Sequence, residues 1–171
     1  MNLLPWFLFA HALGAIIAFG AAFSTFPLLG AMSGREPAHG GFGARVSLAI
    51  SERIVRPFAI LQGLTGLGLI WSAGIDLTKA VWLDIAIVLY LIALGYALFV
   101  LIPNGRRIVQ LTSGGPPPMA GAPEAGSAPA AASSGPPPEL LGAVRTAQRG
   151  GTFVAIAIAI IVFLMVVKPT F

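Results

Sequence analysis

The sequence predicts an all-α fold, a polytopic membrane protein in which four transmembrane helices form one bundle. Of its 171 residues, 57% are hydrophobic and only 9% are charged, whereas soluble domains carry roughly 25% charged residues. A helix needs about 20 consecutive apolar residues to cross the hydrocarbon core of a bilayer. Four apolar runs reach or approach that length, and they cover residues 3–29, 55–71, 80–102 and 152–167.

The positive charges are distributed unevenly between the two sides of these four runs. Eight arginines flank or separate runs one and two or runs three and four, and the other side holds only Lys79 and Lys168. Because cytoplasmic loops are enriched in Lys and Arg, this asymmetry predicts an N-out/C-out topology with loops 30–53 and 103–151 in the cytoplasm. The predicted location is the inner (cytoplasmic) membrane. The net charge of +4 therefore reports topology, and no nucleic-acid partner is expected.

The first run contains one ionisable residue, His11. No Lys or Arg precedes the run, and it is longer than the 7–15 apolar residues of a signal peptide, so we expect it to be a retained helix. At 100° per residue, His11 shares a helix face with the small residues Ala15 and Ala18. Small residues let membrane helices approach closely. The pattern therefore predicts that His11 points into the bundle, and Pro27 is expected to end the helix.

The second run follows a loop at 30–53 whose glycine-rich tip contains His39. No cluster of ligand-type residues surrounds His39, so we expect a solvated loop residue rather than a metal ligand. Pro57 is expected to open helix two. Within that helix Gln62 and Thr65 lie on a face of small residues, which predicts hydrogen bonds between helices, each worth about 0.5–1.5 kcal/mol, in preference to a ligand role.

The third run carries the second intramembrane ionisable residue, Asp84. The hairpin before it, residues 72–79, is short, so helices two and three are expected to be antiparallel neighbours. Asp84 lines up with the bulky residues Val88 and Leu91 rather than with the small face of its helix. Two placements therefore stay open, pairing with His11 inside the bundle or a position near the outer interface, where the helix dipole favours a carboxylate.

The sequence after the third run divides into a linker and a last helix. Pro103 is expected to break the apolar run, so residues 1–112 hold helices one to three. Residues 113–138 contain eight prolines and a single charge, a composition typical of a disordered, partly polyproline cytoplasmic linker. Residues 139–171 are predicted to form an amphipathic segment and helix four, with Met165 in the outer third of the membrane.

The chemistry available to this chain is limited. It has no cysteine, no metal site is predicted, and no phosphate-binding loop, zinc-protease motif or paired carboxylates occur, so catalytic residues stay unknown and a non-enzymatic role is favoured. A helical bundle can present an axial histidine to haem, with methionine as a second ligand. His11 and Met165 are the candidates for such a haem b site. The residues leave three roles open for His11: a hydrogen-bonded structural group, a haem ligand, or part of a proton or ion path.

Three stretches carry a resemblance to known families: HALGAIIAFG, RIVRPFAILQGLTGLGLIW and VWLDIAIVLYLIALGYALFVLIPNGRR. They resemble an uncharacterised bacterial family of predicted integral membrane proteins (domain of unknown function, number 2269). More remotely, helices one to three are similar to copper-resistance D proteins and HemJ-type protoporphyrinogen oxidases. The HemJ resemblance implies a b-type haem held with help from a first-helix histidine, here His11, and a third-helix lysine. Asp84 stands at the candidate lysine position, and this reversal of charge argues against the oxidase activity.

The function predicted from these observations is that of a small, non-enzymatic integral membrane protein or a subunit of a membrane complex. Its expected partners are the lipid bilayer and either a second copy or another membrane subunit. The alternative is a haem-binding redox protein that uses His11 as an axial ligand. A transporter is a weaker alternative, because the two helix pairs show no convincing internal repeat.

Overall fold

The computed structural model describes residues 2–35, 40–113 and 136–169. Within these ranges all regular secondary structure is helical and no strand occurs. The linker predicted at 113–138 falls mostly outside the described residues, and so does His39. The α-helices of the described ranges are α1 Leu4–Gly20, α2 Phe26–Arg35, α3 Gly40–Ile50, α4 Arg56–Ala73, α5 Val81–Tyr96, α6 Ile102–Ser113 and α7 Pro138–Val167.

These elements combine into four long helices. Their apolar spans are Leu4–Met32, Gly41–Ala73, Val81–Ser113 and Pro138–Val167, and each is long and apolar enough to cross a membrane. The fold class predicted from the sequence, an all-α membrane bundle of four helices, is therefore confirmed. A helix of 33 residues is about 50 Å long at 1.5 Å per residue, which exceeds the roughly 30 Å of the hydrocarbon core. The second and third long helices consequently extend beyond the membrane.

Short π-helical turns connect α1 to α2, α3 to α4 and α5 to α6, and a proline follows each turn. Proline has no N–H and cannot donate to the carbonyl four residues back. In each π turn the N–H just before the proline bonds five residues back instead, as Arg56 does to the Ser51 carbonyl. The turns and their prolines are Ala21–Thr25 with Pro27, Ser51–Val55 with Pro57, and Ala97–Leu101 with Pro103.

Helix therefore continues through all three prolines, and the expected helix end at Pro27 is wrong. The α-helix α4 begins at Arg56, next to the expected opening at Pro57, but the second long helix extends further back through the π turn. In each case the shift of the hydrogen-bond register accommodates the proline within the helix. The segment of the predicted cytoplasmic loop 30–53 is helical over 30–35 and 40–53.

The long helices pack as antiparallel neighbours through small side chains. α1 packs against α4 and α5 against α7, while α3 and the first half of α7 contact α6. The buried side chains are mostly alanines, among them Ala18, Ala86, Ala93 and Ala157. Large apolar side chains such as Trp71 and Phe99 point outward, as expected where lipid covers the surface.

A tight turn joins α4 to α5 at residues 74–80. Gly74 ends α4 in the left-handed conformation, with φ of +62°, which glycine adopts without a steric penalty. The Thr78 backbone N–H and hydroxyl donate to the Asp76 carboxylate at 3.1 and 2.7 Å, and these bonds lower the Asp76 pKa. We call this end of the bundle the hairpin end, and the opposite end, which carries Arg45, Arg106, Arg107 and Arg145, the arginine end.

Candidate functional site

His11 lies on the face of α1 that packs against α4. The two helices run antiparallel, so that Phe7 lies beside Gly68, His11 beside Gly66, and Gly14 beside Gln62. A Cβ atom added to Gly66 would lie 3.4 Å from His11 Cε1, and one added to Gly14 would lie 2.9 Å from Gln62 Oε1. The glycines therefore permit the close approach on which this contact depends.

Both ring nitrogens of His11 take part in hydrogen bonds to α4. Gln62 Nε2 lies 2.9 Å from His11 Nε2, and Thr65 Oγ1 lies 3.1 Å from His11 Nδ1. We call these three residues the histidine cluster. The sequence predicted an inward His11 and hydrogen bonds from Gln62 and Thr65, and these contacts are present.

With the Gln62 amide nitrogen toward His11 Nε2, the histidine cluster has one consistent arrangement of protons. An amide nitrogen can only donate, so His11 Nε2 accepts from Gln62 and the ring proton of the neutral imidazole lies on Nδ1. Nδ1–H then donates to Thr65 Oγ1. The Thr65 hydroxyl donates its own proton to the Leu61 carbonyl, 2.9 Å away. The Gln62 backbone carbonyl is a second acceptor within reach of the same hydroxyl, at 3.1 Å, and neither nitrogen of the ring keeps a free lone pair.

The cluster holds the buried polar side chains of the described residues. Gln62 and Thr65 are each only 6% exposed. Gln62 Oε1 is buried without a hydrogen-bond partner, next to the position where Gly14 lacks a side chain. An unpaired buried acceptor costs about 1–3 kcal/mol. Gln62 therefore contributes to the cluster through its amide NH₂ alone, and its amide oxygen makes no hydrogen bond.

A second polar contact, which sequence reasoning missed, joins α5 to α4. The Tyr90 hydroxyl donates to the Ala59 carbonyl at 2.7 Å. Gly63 makes room for it, since an added Cβ would lie 2.6 Å from the Tyr90 hydroxyl oxygen. The available signal was the place of Tyr90 on the small face of its helix, because a tyrosine that points inward needs a partner for its hydroxyl.

Asp84 is not part of the histidine cluster. It is exposed in the first turn of α5, whereas Leu83, Ala86 and Ala93 form the buried face of that helix. Of the two placements that the sequence left open, the structure has the one near the hairpin end. The small face packs inward, which turns the Asp84 face outward.

Met165 and His11 face different neighbours. Met165 is half-buried on α7. α7 packs mainly against α5 and α6 and also contacts the turn at 21–25, whereas His11 points at α4. In this arrangement both imidazole nitrogens of His11 are bonded to side chains of α4. Among residues 2–35, 40–113 and 136–169, no three His, Asp or Glu side chains come together as a metal site.

The comparison with protein families finds one match. The family described as "Predicted integral membrane protein (DUF2269)" matches residues 6–114, well over half of the chain. The match includes α1 to α6 and hence the whole histidine cluster, while α7 lies beyond it. No curated protein and no solved structure matches the chain.

Proposed function

This chain belongs to the family of predicted integral membrane proteins (DUF2269), and we propose that it acts in the bacterial inner membrane as a non-enzymatic helical subunit of a membrane complex. The observation that carries the proposal is the histidine cluster. Its hydrogen bonds, which occupy both nitrogens of the intramembrane imidazole, join α1 to α4. A histidine bonded in this way stabilises helix packing and offers no free nitrogen to a substrate.

The other reactive side chains support the same proposal. The Tyr90 hydroxyl is bonded to a backbone carbonyl, and Asp84 is exposed on a different helix from His11. General acid–base catalysis needs such groups within reach of one reacting atom. The described arrangement instead distributes them over separate helix contacts.

The alternative, a haem-binding redox protein, makes a different prediction for the purified protein. We expect detergent-purified protein from haem-replete cells to show no Soret band, and His11→Ala to leave the spectrum unchanged, because His11 Nε2 is bonded to Gln62.

Light scattering of the same preparation in mild detergent should give a protein mass above the 17.6 kDa of one chain, as a subunit of a complex requires.

Asp84→Asn is the matched control, since it changes an exposed polar residue outside the cluster. A Soret band lost in His11→Ala and kept in Asp84→Asn would establish haem ligation and overturn the structural role. A colourless protein with the mass of a single chain would be consistent with the structural role of His11, but it would overturn the proposal that the chain is a subunit of a complex.

The proposal includes an orientation with the arginine end in the cytoplasm. It is supported by the exposed side chains of Arg45, Arg106, Arg107 and Arg145 at that end, since cytoplasmic loops are enriched in arginine. Because the chain has no cysteine, Lys79→Cys and Gln110→Cys each introduce a unique thiol. A membrane-impermeant thiol reagent applied to intact spheroplasts should label Lys79→Cys and leave Gln110→Cys unlabelled until the membrane is opened. The reverse result would invert the orientation.

A further inference from the structure

The three π turns lie at one level of the bundle. In the antiparallel pair of α1 and α4, His11 is opposite Thr65 and Gly14 is opposite Gln62. The same register continued toward the arginine end brings the turn at 21–25 opposite the turn at 51–55. In the antiparallel pair of α3 and α6, Gly41 faces Thr112 and Gly105 faces Leu48, and the same register brings the turn at 97–101 opposite the turn at 51–55.

The fourth long helix has two consecutive glycines at this same level. Leu101 of the third π turn packs on Gly150, where an added Cβ would lie 2.6 Å from Leu101 Cδ2. Gly151 follows, with no atom within 4 Å of the place a Cβ would take. We define the hinge layer as residues 21–25, 51–55, 97–101 and 150–151, which contains one segment from each long helix.

Each segment of the hinge layer weakens the backbone of its helix. The prolines remove the donors that would bond the carbonyls of Phe23, Arg53 and Phe99. Glycine in a helix is about 1 kcal/mol less favourable than alanine because it leaves the backbone freer. Proline, π turns and glycine are the usual causes of helix bends. One such site accommodates one proline, but four at the same level allow all four helices to bend together.

Long helices one and two, and long helices three and four, stay paired on both sides of the hinge layer, and the arginine side adds the contact of α3 with α6, which joins long helices two and three. On the hairpin side the main pairs are α1 with α4 and α5 with α7, whereas on the arginine side α3 packs against α2 and α6, and α6 against the first half of α7. The contacts on the arginine side include polar ones. They are the ion pairs Glu52–Arg106 and Arg107–Glu139 and the bond from the Asn104 amide to the Ala143 carbonyl, 2.8 Å long.

The geometry points to a hinge at this layer, about which α2, α3, α6 and residues 138–149 tilt as one body relative to the hairpin-end bundle. Such a motion transmits a contact made at the arginine end to the helix packing around His11. The inference goes beyond the proposed function and does not depend on it, because it rests on backbone and packing alone.

Distances between pairs of spin labels test the hinge. The chain has no cysteine, so labels can be attached to introduced cysteines, and the four chosen positions are all exposed. The first pair, Leu91 and Gln110, flanks the hinge layer on the third long helix. The second pair, Phe9 and Phe163, lies entirely on the hairpin side. In lipid nanodiscs we expect the distance distribution of the first pair to be about twice as wide as that of the second, as a hinge motion requires.

Two substitutions should stiffen the layer and narrow the first distribution. Gly151→Ala adds a methyl group where nothing is in the way, and Pro103→Ala restores a backbone donor. Gly142→Ala is the matched control, since it is on the same helix, also has open space, and lies outside the layer. Three results would each overturn the hinge. The distance distributions of the two label pairs could be equally wide, or both stiffening variants could leave the width of the first distribution unchanged. Gly142→Ala could also narrow that distribution as much as Gly151→Ala does.

Discussion

Replacement of His11 by alanine is expected to lower the free energy of unfolding by about 1–3 kcal/mol, the usual cost of leaving a buried hydrogen-bond partner unpaired. The buried amide NH₂ of Gln62 loses its acceptor, and Thr65 Oγ1 loses the donor at Nδ1. Gln62→Ala should cost less, because it leaves His11 Nε2 without a donor but also removes the buried, unpaired Gln62 Oε1. Reversible unfolding in mixed detergent micelles measures both values.

The double variant His11→Ala/Gln62→Ala separates the hydrogen bond from the packing that each substitution also removes. Once one partner is absent, removal of the other breaks no further hydrogen bond between them. The loss of unfolding free energy in the double variant should therefore be smaller than the sum of the two single losses, by about 0.5–3 kcal/mol. Asp84→Asn, on an exposed side chain, should stay within about 0.5 kcal/mol of the parent. Losses that simply add would show that the cluster does not join α1 to α4, and would remove the main support for the proposed function.

The histidine cluster could be anticipated from the sequence because helix geometry alone orders its parts. The spacing of His11 from Ala15 and Ala18 indicates a small face, and the spacing of Gln62 from Thr65 indicates a polar one. In a membrane, small and polar faces pack against each other. The contact between the two faces can therefore be predicted from the helical repeat and the residue types, without knowing how the helices are arranged in the bundle.

The remaining features depend on tertiary structure that helix periodicity does not encode. The distance of Met165 from His11 depends on which helices are neighbours, and sequence spacing contains no such information. The continuation of helix through Pro57 depends on a shift of one residue in the hydrogen-bond register, which the flanking helix on each side stabilises. The small face of α5 packs inward. It therefore brings the Tyr90 hydroxyl to a hydrogen-bond acceptor on α4, and it leaves Asp84 exposed.

The adjacent residues Gly150 and Gly151 on α7 are expected to respond in opposite ways to replacement by alanine. A Cβ at Gly150 would lie 2.6 Å from Leu101 Cδ2 and 2.8 Å from Tyr96 Cε1, and Tyr96 is itself packed edge-on against Phe153 with ring centroids 5.3 Å apart. Gly150→Ala therefore forces two side chains aside and should cost about 1–3 kcal/mol, as overpacking does. Gly151→Ala meets no atom and should stabilise the helix by up to about 1 kcal/mol.

The comparison between these two variants isolates helix packing from helix propensity. Both substitutions make the same chemical change at neighbouring positions of one helix, so the propensity gain is common to them and only the contact with α5 and the adjoining π turn differs. The unfolding free energy in mixed micelles should therefore fall in Gly150→Ala and rise in Gly151→Ala. Equal effects would mean that Gly150 does not face Tyr96 and Leu101. The register of α7 against α5 would then be wrong, and Gly150 and Gly151 would no longer lie at the level of the three π turns.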